Sequence, residues 1–406
     1  MTRTSTSVAS PRHLLVVGGG MVGAAVACLL ARAGLRITLF EPQVPAAFDP
    51  AQALDRRVSA ISPAAVALLQ RCQAWEAVLA MRACPYKRLE TWESPRFATR
   101  FHADELGLAE LGFIVENRVI QLALWQQLTA MDNVTLVSDA GALQLVNSEQ
   151  SVSVSVADGQ AWSGDLLLAA DGAHSAMRQQ AGIGVTEWDY PQRCMLINVD
   201  TEVAQQDITW QQFYPTGPRA FLPLPGAHAS LVWYDSPARI RALQQLPLPQ
   251  LEAAIRQAFP DCLPGIKVTG ADSFALTRRH AQRYVAGRVV LLGDAAHTIH
   301  PLAGQGVNLG FRDVATLVDL LVPAAASDDE PWLAQLSRYQ RQRRRDNLLM
   351  QSAMDLFCAT FSNDLPPLRL LRNLGLGVAQ HAGPLKRQAL RYALGLTDLN
   401  TVTIER

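Results

Sequence analysis

At 406 residues the chain is too long for one compact core and requires two or three packed units. Its 49% hydrophobic and 18% charged residues describe an ordinary globular protein and exclude a disordered one. The 36 Lys and Arg are balanced by 36 Asp and Glu, so no overall field draws the chain to nucleic acid or anionic lipid, and any basic surface is local.

The N-terminal stretch MTRTSTSVASPRH is polar and lacks the apolar run and cleavage site of a signal peptide. From Leu14 to Ala31 the chain runs 18 residues without a charge, the minimum for a membrane span. Gly18-Gly19-Gly20 interrupts that run where a strand would turn into a helix, which argues against a span. His13 to Val17 reads as a buried strand, Met21 to Arg32 as a helix ended by Gly34, and Leu35 to Phe40 as a second strand. Between the first two, Gly18 to Gly23 supplies G-x-G-x-x-G. Gly18 permits the tight turn, Gly20 lets a pyrophosphate approach the backbone, and Gly23 lets helix and strand pack closely. The helix N-terminus offers unpaired N–H groups to phosphate. Glu41, at the end of the second strand, is placed to accept from ribose hydroxyls and disfavours a 2′-phosphate. A lone glycine motif is often only a turn; strand, glycines, helix, strand and acid in register predict a dinucleotide site, for NAD or FAD.

Further along, Leu166 to Ala170 reads as a strand ending at Asp171-Gly172. Residues 190–275 alternate short strands and turns. There Phe213, Tyr214, Phe221, Pro223 and Trp233 are candidates to wall an aromatic substrate, or simply to pack a half-buried sheet. Arg288 to Leu292 is a buried strand, followed by Gly293-Asp294, a Pro/Gly loop from His300 to Gly310 and a helix from about Phe311 to Leu321. Asp294 can accept from a ribityl hydroxyl. The N–H groups of Gly304, Gln305, Gly306 and Val307 sit at a helix start, where they stabilise negative charge on the N1/C2=O edge of a reduced flavin. NAD needs no such distant second clamp, so FAD is the expected cofactor. His297 and His300 are spaced as metal ligands, but no HExxH, third ligand cluster or Cys partner accompanies them, and no metal is expected. The six cysteines are scattered without a C-x-x-C pair, which suits reduced thiols in a cytosolic protein. The basic run Arg341 to Arg345 lies in a helix from Leu336 to Met350 and reads as a solvated face in preference to a docking surface. Leu365 to Leu396 mixes Leu and Ala with Arg369, Arg372, Lys386, Arg387 and Arg391, either an interfacial amphipathic region or a helical cap on the core.

Gly293-Asp294 with Pro301-x-x-Gly304-Gln305-Gly306-x-Asn308 resembles the flavin motif of the single-component aromatic hydroxylases, the para-hydroxybenzoate hydroxylase class. The string from His300 to Gly310 with Asp313 is similar to the signature of that family's ubiquinone-biosynthesis branch, and the likeness runs from about Leu14 to Leu396. The resemblance implies that Asp171-Gly172 helps hold FAD, that Arg57 contacts the flavin, that Asn117 lies near the pyrophosphate, and that Pro301 lines the flavin face near the oxygen site. It implies an α/β fold: a Rossmann-like FAD-binding domain with an inserted mixed or antiparallel β-sheet substrate domain and a helical C-terminal region. Residues 10–190 and 275–345 are assigned to the FAD-binding domain, with a substrate-side segment at about 75–110. Residues 191–274 are assigned to the substrate sheet and 346–406 to the helical region.

The implied reaction is hydroxylation of the ring of a polyprenyl benzoquinol, a demethoxyubiquinol, by O2 through a flavin C4a-hydroperoxide. Pro301, Gly304 and Gln305 are the residues nearest that chemistry, and the cofactor rather than an acid–base dyad carries it. A nicotinamide, NAD(P)H, is the implied electron donor. Implied partners are other ubiquinone-biosynthesis proteins, a peripheral contact at the inner face of the membrane by an otherwise cytoplasmic enzyme, and a further copy of the chain in a homo-oligomer. A sister hydroxylase acting at another ring position, a flavin dehydrogenase or oxidase, and a silent flavoprotein scaffold remain as alternatives.

Overall fold

The computed structural model of the protein describes residues 12–300, 304–325 and 333–396. The chain opens with strand β1 (His13–Val17), helix α1 (Met21–Arg32) and strand β2 (Arg36–Phe40), at or within a residue of the bounds read from the sequence. Strand β3 (Val58–Ile61), helix α2 (Asn117–Thr129) and strand β4 (Leu166–Ala169) follow. The middle of the chain holds strands β5 (Val185–Thr201), β6 (Arg219–Leu224) and β7 (His228–Asp235), helices α3 (Pro237–Gln244) and α4 (Leu248–Ala258), and strand β8 (Ile266–Ala281). Strand β9 (Val289–Leu291) then leads to helices α5 (Gln305–Ala325), α6 (Ala334–Phe361), α7 (Pro366–His381) and α8 (Gly383–Ala393).

A six-stranded sheet runs in the order 285–286, β9, β4, β1, β2 and 134–137, parallel throughout except at its first pair. β1 and β4 lie in the middle of this sheet, which explains their uninterrupted apolar runs: a parallel strand covered on both faces shows no alternation. Leu14, Leu15 and Val16 in β1 and Leu166, Leu167 and Leu168 in β4 are wholly buried. The second large sheet has eight strands, in the order 297–298, β8, β5, β7, β6, 208–212, 88–92 and 99–102. Here successive residues turn to opposite faces along the central stretch of β5. In β5, Met195, Ile197 and Val199 pack with Leu243 of α3 and Ile255 of α4. Cys194, Leu196 and Asn198 point to the opposite face, where the Asn198 amide donates to the Leu54 carbonyl at 3.0 Å. A three-stranded sheet of β3, Gly112–Glu116 and Cys84–Tyr86 lies against that face through Leu222 and Leu224.

The middle region differs from its sequence reading. In place of short strands, β5 and β8 span 17 and 16 residues and pair antiparallel over nearly their whole length, with register shifts between Asp189 and Arg193 and between Asn198 and Val199. The boundaries expected at 191 and 274 therefore fall inside strands, and residues 88–92 and 99–102 belong to the eight-stranded sheet. Helices α3 and α4 were not anticipated, because the Pro-rich SPARIRALQQLPLPQ reads as turns. Pro237 stands instead at the first helical position behind a Ser236 cap, where a missing N–H costs nothing. Helices α5 and α6 both extend beyond their expected bounds.

Candidate active site

The first glycine turn is shaped by exclusion. A Cβ on Gly18 would lie 2.3 Å from the Ala170 carbonyl oxygen, and one on Gly23 would lie 1.8 Å from that of Gly18. Gly18 also has φ +100°, a region that side chains disfavour. A Cβ on Gly20, by contrast, meets nothing within 4 Å. Gly20 caps α1 without a side-chain bond, so the first-turn N–H groups of the helix face open space, as a phosphate requires. Glu41 accepts from the N–H groups of Gly19 at 2.7 Å and Gln43 at 3.0 Å, which fixes its carboxylate at the edge of the turn. The Gly19 carbonyl accepts from Gln121 and Trp125 of α2 at 2.9 and 2.8 Å. Neither residue was expected from the sequence, since nothing local marks them.

The second clamp comes from the far end of the chain. A Cβ on Gly310 would come within 2.6 Å of a Val22 methyl, and one on Gly293 within 3.2 Å of the same methyl. The start of α5, the Gly293-Asp294 turn and the middle of the first glycine motif therefore meet at Val22. Asp294 is hemmed in by protein yet exposed to solvent, as a residue lining a cleft is, and it accepts no hydrogen bond among the described residues. Burial raises its carboxyl pKa, while His297, Arg279 and Arg57 oppose the rise. Arg57, just before β3, is exposed and its guanidinium bonds to none of the described residues. These two free groups suit a ligand that brings both hydroxyls and an electron-rich ring.

Other expected contacts are engaged in holding the site together. Asn308 is 2% exposed; it accepts from Ser62 N–H at 3.1 Å and donates to the carbonyls of Ala60 at 2.8 Å and Gly304 at 3.3 Å. Its amide thus ties the start of α5 to β3. Asn117 accepts from the Ser59 hydroxyl at 2.7 Å. Asp171 takes a hydrogen bond from the Ser175 hydroxyl and one from Met177 N–H at 3.1 Å, so it caps the helix 176–180 and shapes the Gly172 turn, whose φ is +83°. Gly304 has φ +63° and sits against Ala60, Gly306 opens on empty space, and Val307 is half-buried in the first turn of α5. Pro301 and the side chain of Gln305 lie outside the described residues.

Two buried arginines brace the cleft, and sequence reasoning missed the role of both. Arg178 donates to the carbonyls of Ala173 at 3.1 Å and Ala295 at 2.9 Å, joining the Asp-Gly turn to the Gly-Asp turn. Asp313, wholly buried, accepts from Gly293 N–H at 3.0 Å, Arg343 at 2.8 Å and Asn347 at 3.1 Å, and pairs with His297 at 2.6 Å. Burial alone would raise the Asp313 carboxyl; His297 and Arg343 outweigh it and hold the pKa far below the ordinary carboxylate range. Among the described residues no cluster of three metal-ligating side chains occurs.

The aromatic residues expected to wall a substrate are placed elsewhere. Phe221 and Trp233 are buried against α3 and α4, and Pro223 pairs with Ala229 of the same cluster. Phe213 packs on Phe357 and Phe361, and the Arg219 guanidinium covers the Tyr214 ring at 3.7 Å. The face turned toward Arg57 and β3 carries their strand neighbours instead: Leu196, Leu222 and Phe274, half-buried, beside Cys194, Val232 and Tyr234. His300, at the mouth of the flavin loop, stacks on Tyr234 at 5.3 Å and meets Tyr190 edge-on at 4.8 Å.

Residues 12–347 match the family described as FAD binding domain. The chain belongs to this family. Across 95% of its length it is 53% identical to the 3-demethoxyubiquinol 3-hydroxylase of Escherichia coli K12, covering 99% of that protein. It is 37% identical to the ubiquinone hydroxylase UbiL of Rhodospirillum rubrum, over 95% of this chain and 90% of the relative. The solved structure of p-nitrophenol 4-monooxygenase PnpA from Pseudomonas putida DLL-E4 superposes with a TM-score of 0.76 over 95% of this chain and 98% of the other, at 19% identity. The cofactor of this family member is FAD, and the open Gly20 turn with the free Asp294 and Arg57 fits it.

Proposed function

We propose that the protein is an FAD-dependent monooxygenase that hydroxylates the ring of a polyprenyl benzoquinol, a demethoxyubiquinol, in ubiquinone biosynthesis. The observation that carries this reading is the 53% identity to the Escherichia coli 3-demethoxyubiquinol 3-hydroxylase over 95% of the chain, a span too long to leave out the eight-stranded sheet.

In this reading the N–H groups behind Gly20 hold the pyrophosphate, Glu41 the ribose, and Asp294 the ribityl chain. Arg57 and the backbone from Gly304 to Val307 stand by the ring, with Gln305 and Pro301 completing the loop. Asp171-Gly172 and Asn117 shape the rim. Bound FAD supplies the activation of O2 and the transfer of one oxygen atom to an electron-rich ring. The chain's own task is to seat the quinol ring, keep water out and place polar groups. Leu196, Leu222 and Phe274 offer an apolar floor for the ring on the sheet face turned toward Arg57. NAD(P)H is read as the electron donor; the sequence holds no second strand–glycine–helix unit for it, so it reduces the flavin on a transient visit.

The test uses purified, FAD-loaded protein, NADH or NADPH, a short-tailed demethoxyubiquinol and isotopically labelled O2. The expected product carries one labelled oxygen at the open ring position. Hydroxylation of another ring carbon moves the protein to a sister step, and peroxide without a hydroxylated quinol makes it an oxidase.

A further inference from the structure

Three histidines, His280, His297 and His300, are buried around the end of strand β8. His280 bonds through Nδ1 to the Gln351 amide oxygen at 2.7 Å, and His297 through Nε2 to Asp313 at 2.6 Å. His300 is different: it is 1% exposed, and neither of its ring nitrogens has a hydrogen-bond partner. Its ring neighbours supply none. Tyr234 stacks on it at 5.3 Å and Tyr190 meets it edge-on at 4.8 Å, while the Tyr190 hydroxyl donates to Asp355, which also pairs with Arg278 at 3.1 Å. A polar group buried without a partner costs stability, so nearly all such groups in folded proteins are paired. Packing accounts for the stacked ring, but a phenylalanine would pack as well and leave nothing unpaired. Two bare nitrogens on one buried ring are a deficit that a ligand can fill.

Its position narrows the ligand. Tyr234 belongs to the same apolar cluster as Leu196, Leu222 and Phe274, the floor assigned above to the quinol ring, and His300 stands on it at the mouth of the flavin loop. Burial lowers the imidazole pKa from 6.5 to about 4, so near neutrality the ring is uncharged and offers one N–H donor and one lone-pair acceptor. An uncharged acceptor over an apolar floor suits the hydroxyl of an aromatic ring; a carboxylate would ask for a cation in its place.

We propose, on the basis of the quinol reading, that His300 hydrogen-bonds a ring hydroxyl of the bound quinol and thereby selects rings that carry one. The bond satisfies a nitrogen that the free protein leaves bare. A ring without that hydroxyl leaves it bare still, and a buried polar group left unpaired is what makes a site reject the wrong ligand. The histidine positions the ring and does not ionise it. A phenolic hydroxyl titrates near ~10, far above this imidazole, so the proton stays on oxygen.

The test measures dissociation constants on the oxidised, FAD-loaded protein, read from the flavin absorption. The ligands are a short-tailed demethoxyubiquinol and two analogues in which one or the other ring hydroxyl is replaced by methyl. One analogue should bind wild-type protein about 10- to 100-fold more weakly than the quinol. In His300→Phe that preference should fall to near unity through loss of quinol affinity, while the unfolding midpoint holds or rises. His300→Gln, which keeps a donor and an acceptor, should recover part of the preference. Equal binding of both analogues and quinol to wild-type protein overturns the proposal without recourse to any variant. So does a preference retained in His300→Phe, or a loss of affinity in both variants that is the same for quinol and analogues, as a packing role would give. Hydroxylation of the quinol by labelled O2 is followed in the same wild-type preparation. Its absence sinks the quinol reading, whereas hydroxylation with no discrimination through His300 sinks only the role of this residue.

Discussion

Gly20 and Asp294 share the property of pointing at nothing in the protein, and this separates binding from folding. Gly20→Ala places a methyl in open space, so the fold should hold while phosphate is crowded out. Gly23→Ala drives a methyl into the Gly18 carbonyl and should cost the fold itself. Asp294→Ala should weaken FAD binding by about 10- to 100-fold, the value of one charged hydrogen bond, with little change in the unfolding midpoint; flavin titration followed by fluorescence reads this, and unchanged affinity would remove its assigned role. The glycines were legible in the sequence because their job is done by backbone alone at fixed spacing. The partners of Asn308 were illegible, because Ser62 and Ala60 lie far away along the chain. Arg178 and Arg343 were illegible as braces for the same reason: their acceptors are distant carbonyls and a distant carboxylate.

Single elements decide which face of a sheet does chemistry. Phe221 and Trp233 pack the sheet on the α3–α4 side, one of the two roles the sequence allowed, because alternation tells that two faces exist but not what covers each. Trp233→Ala should cost about 3–5 kcal/mol of stability and leave KM for the quinol unchanged in the folded fraction. Leu222→Trp, beside Phe221 and on the other face, should raise KM several-fold at little cost in stability. Steady-state kinetics beside urea titration distinguish the two, and the reverse pattern would put the ring on the α3–α4 side. The Asp313 hub joins β9, α5 and α6. Asp313→Asn leaves buried Arg343 with Asp346 alone as counter-charge and should cost about 3 kcal/mol, the lower end for breaking a buried pair; urea unfolding measures it.

For the whole molecule, the buried titratable groups set an acid limit of one sign. Burial lowers His280 and His300 from 6.5 to about 4, so between those values the unfolded chain binds more protons than the folded one. Stability therefore rises with pH through that window, and acidification from 6.5 to 4 should remove up to about 3 kcal/mol per histidine. Asp313 acts lower down: its depressed carboxyl contributes stability above the unfolded value near ~3.9, lost as pH falls further. Urea midpoints at pH 7, 6 and 5 should fall in order, and His300→Gln should flatten the slope. The architecture at this scale was largely legible: both nucleotide motifs, the parallel strands beside them and a helical C-terminus were read in place. The helices α3 and α4 were hidden by prolines that sit at helix starts, and the long strands β5 and β8 by the turns expected within them.

Strand β9 reaches its place beside β4 only after all but the last strand of the eight-stranded sheet has been made, and Asp313 and Arg343 come later still. The cleft therefore cannot close on a ribosome-bound chain that has delivered only its N-terminal half. Cofactor capture becomes one of the last folding events, and the nascent β1–α1 turn must wait with its N–H groups in water. Such long sequence separations slow folding and lengthen the exposure of apolar strands. Soluble yield in cells should therefore depend on riboflavin supply during synthesis, more than on FAD added after lysis.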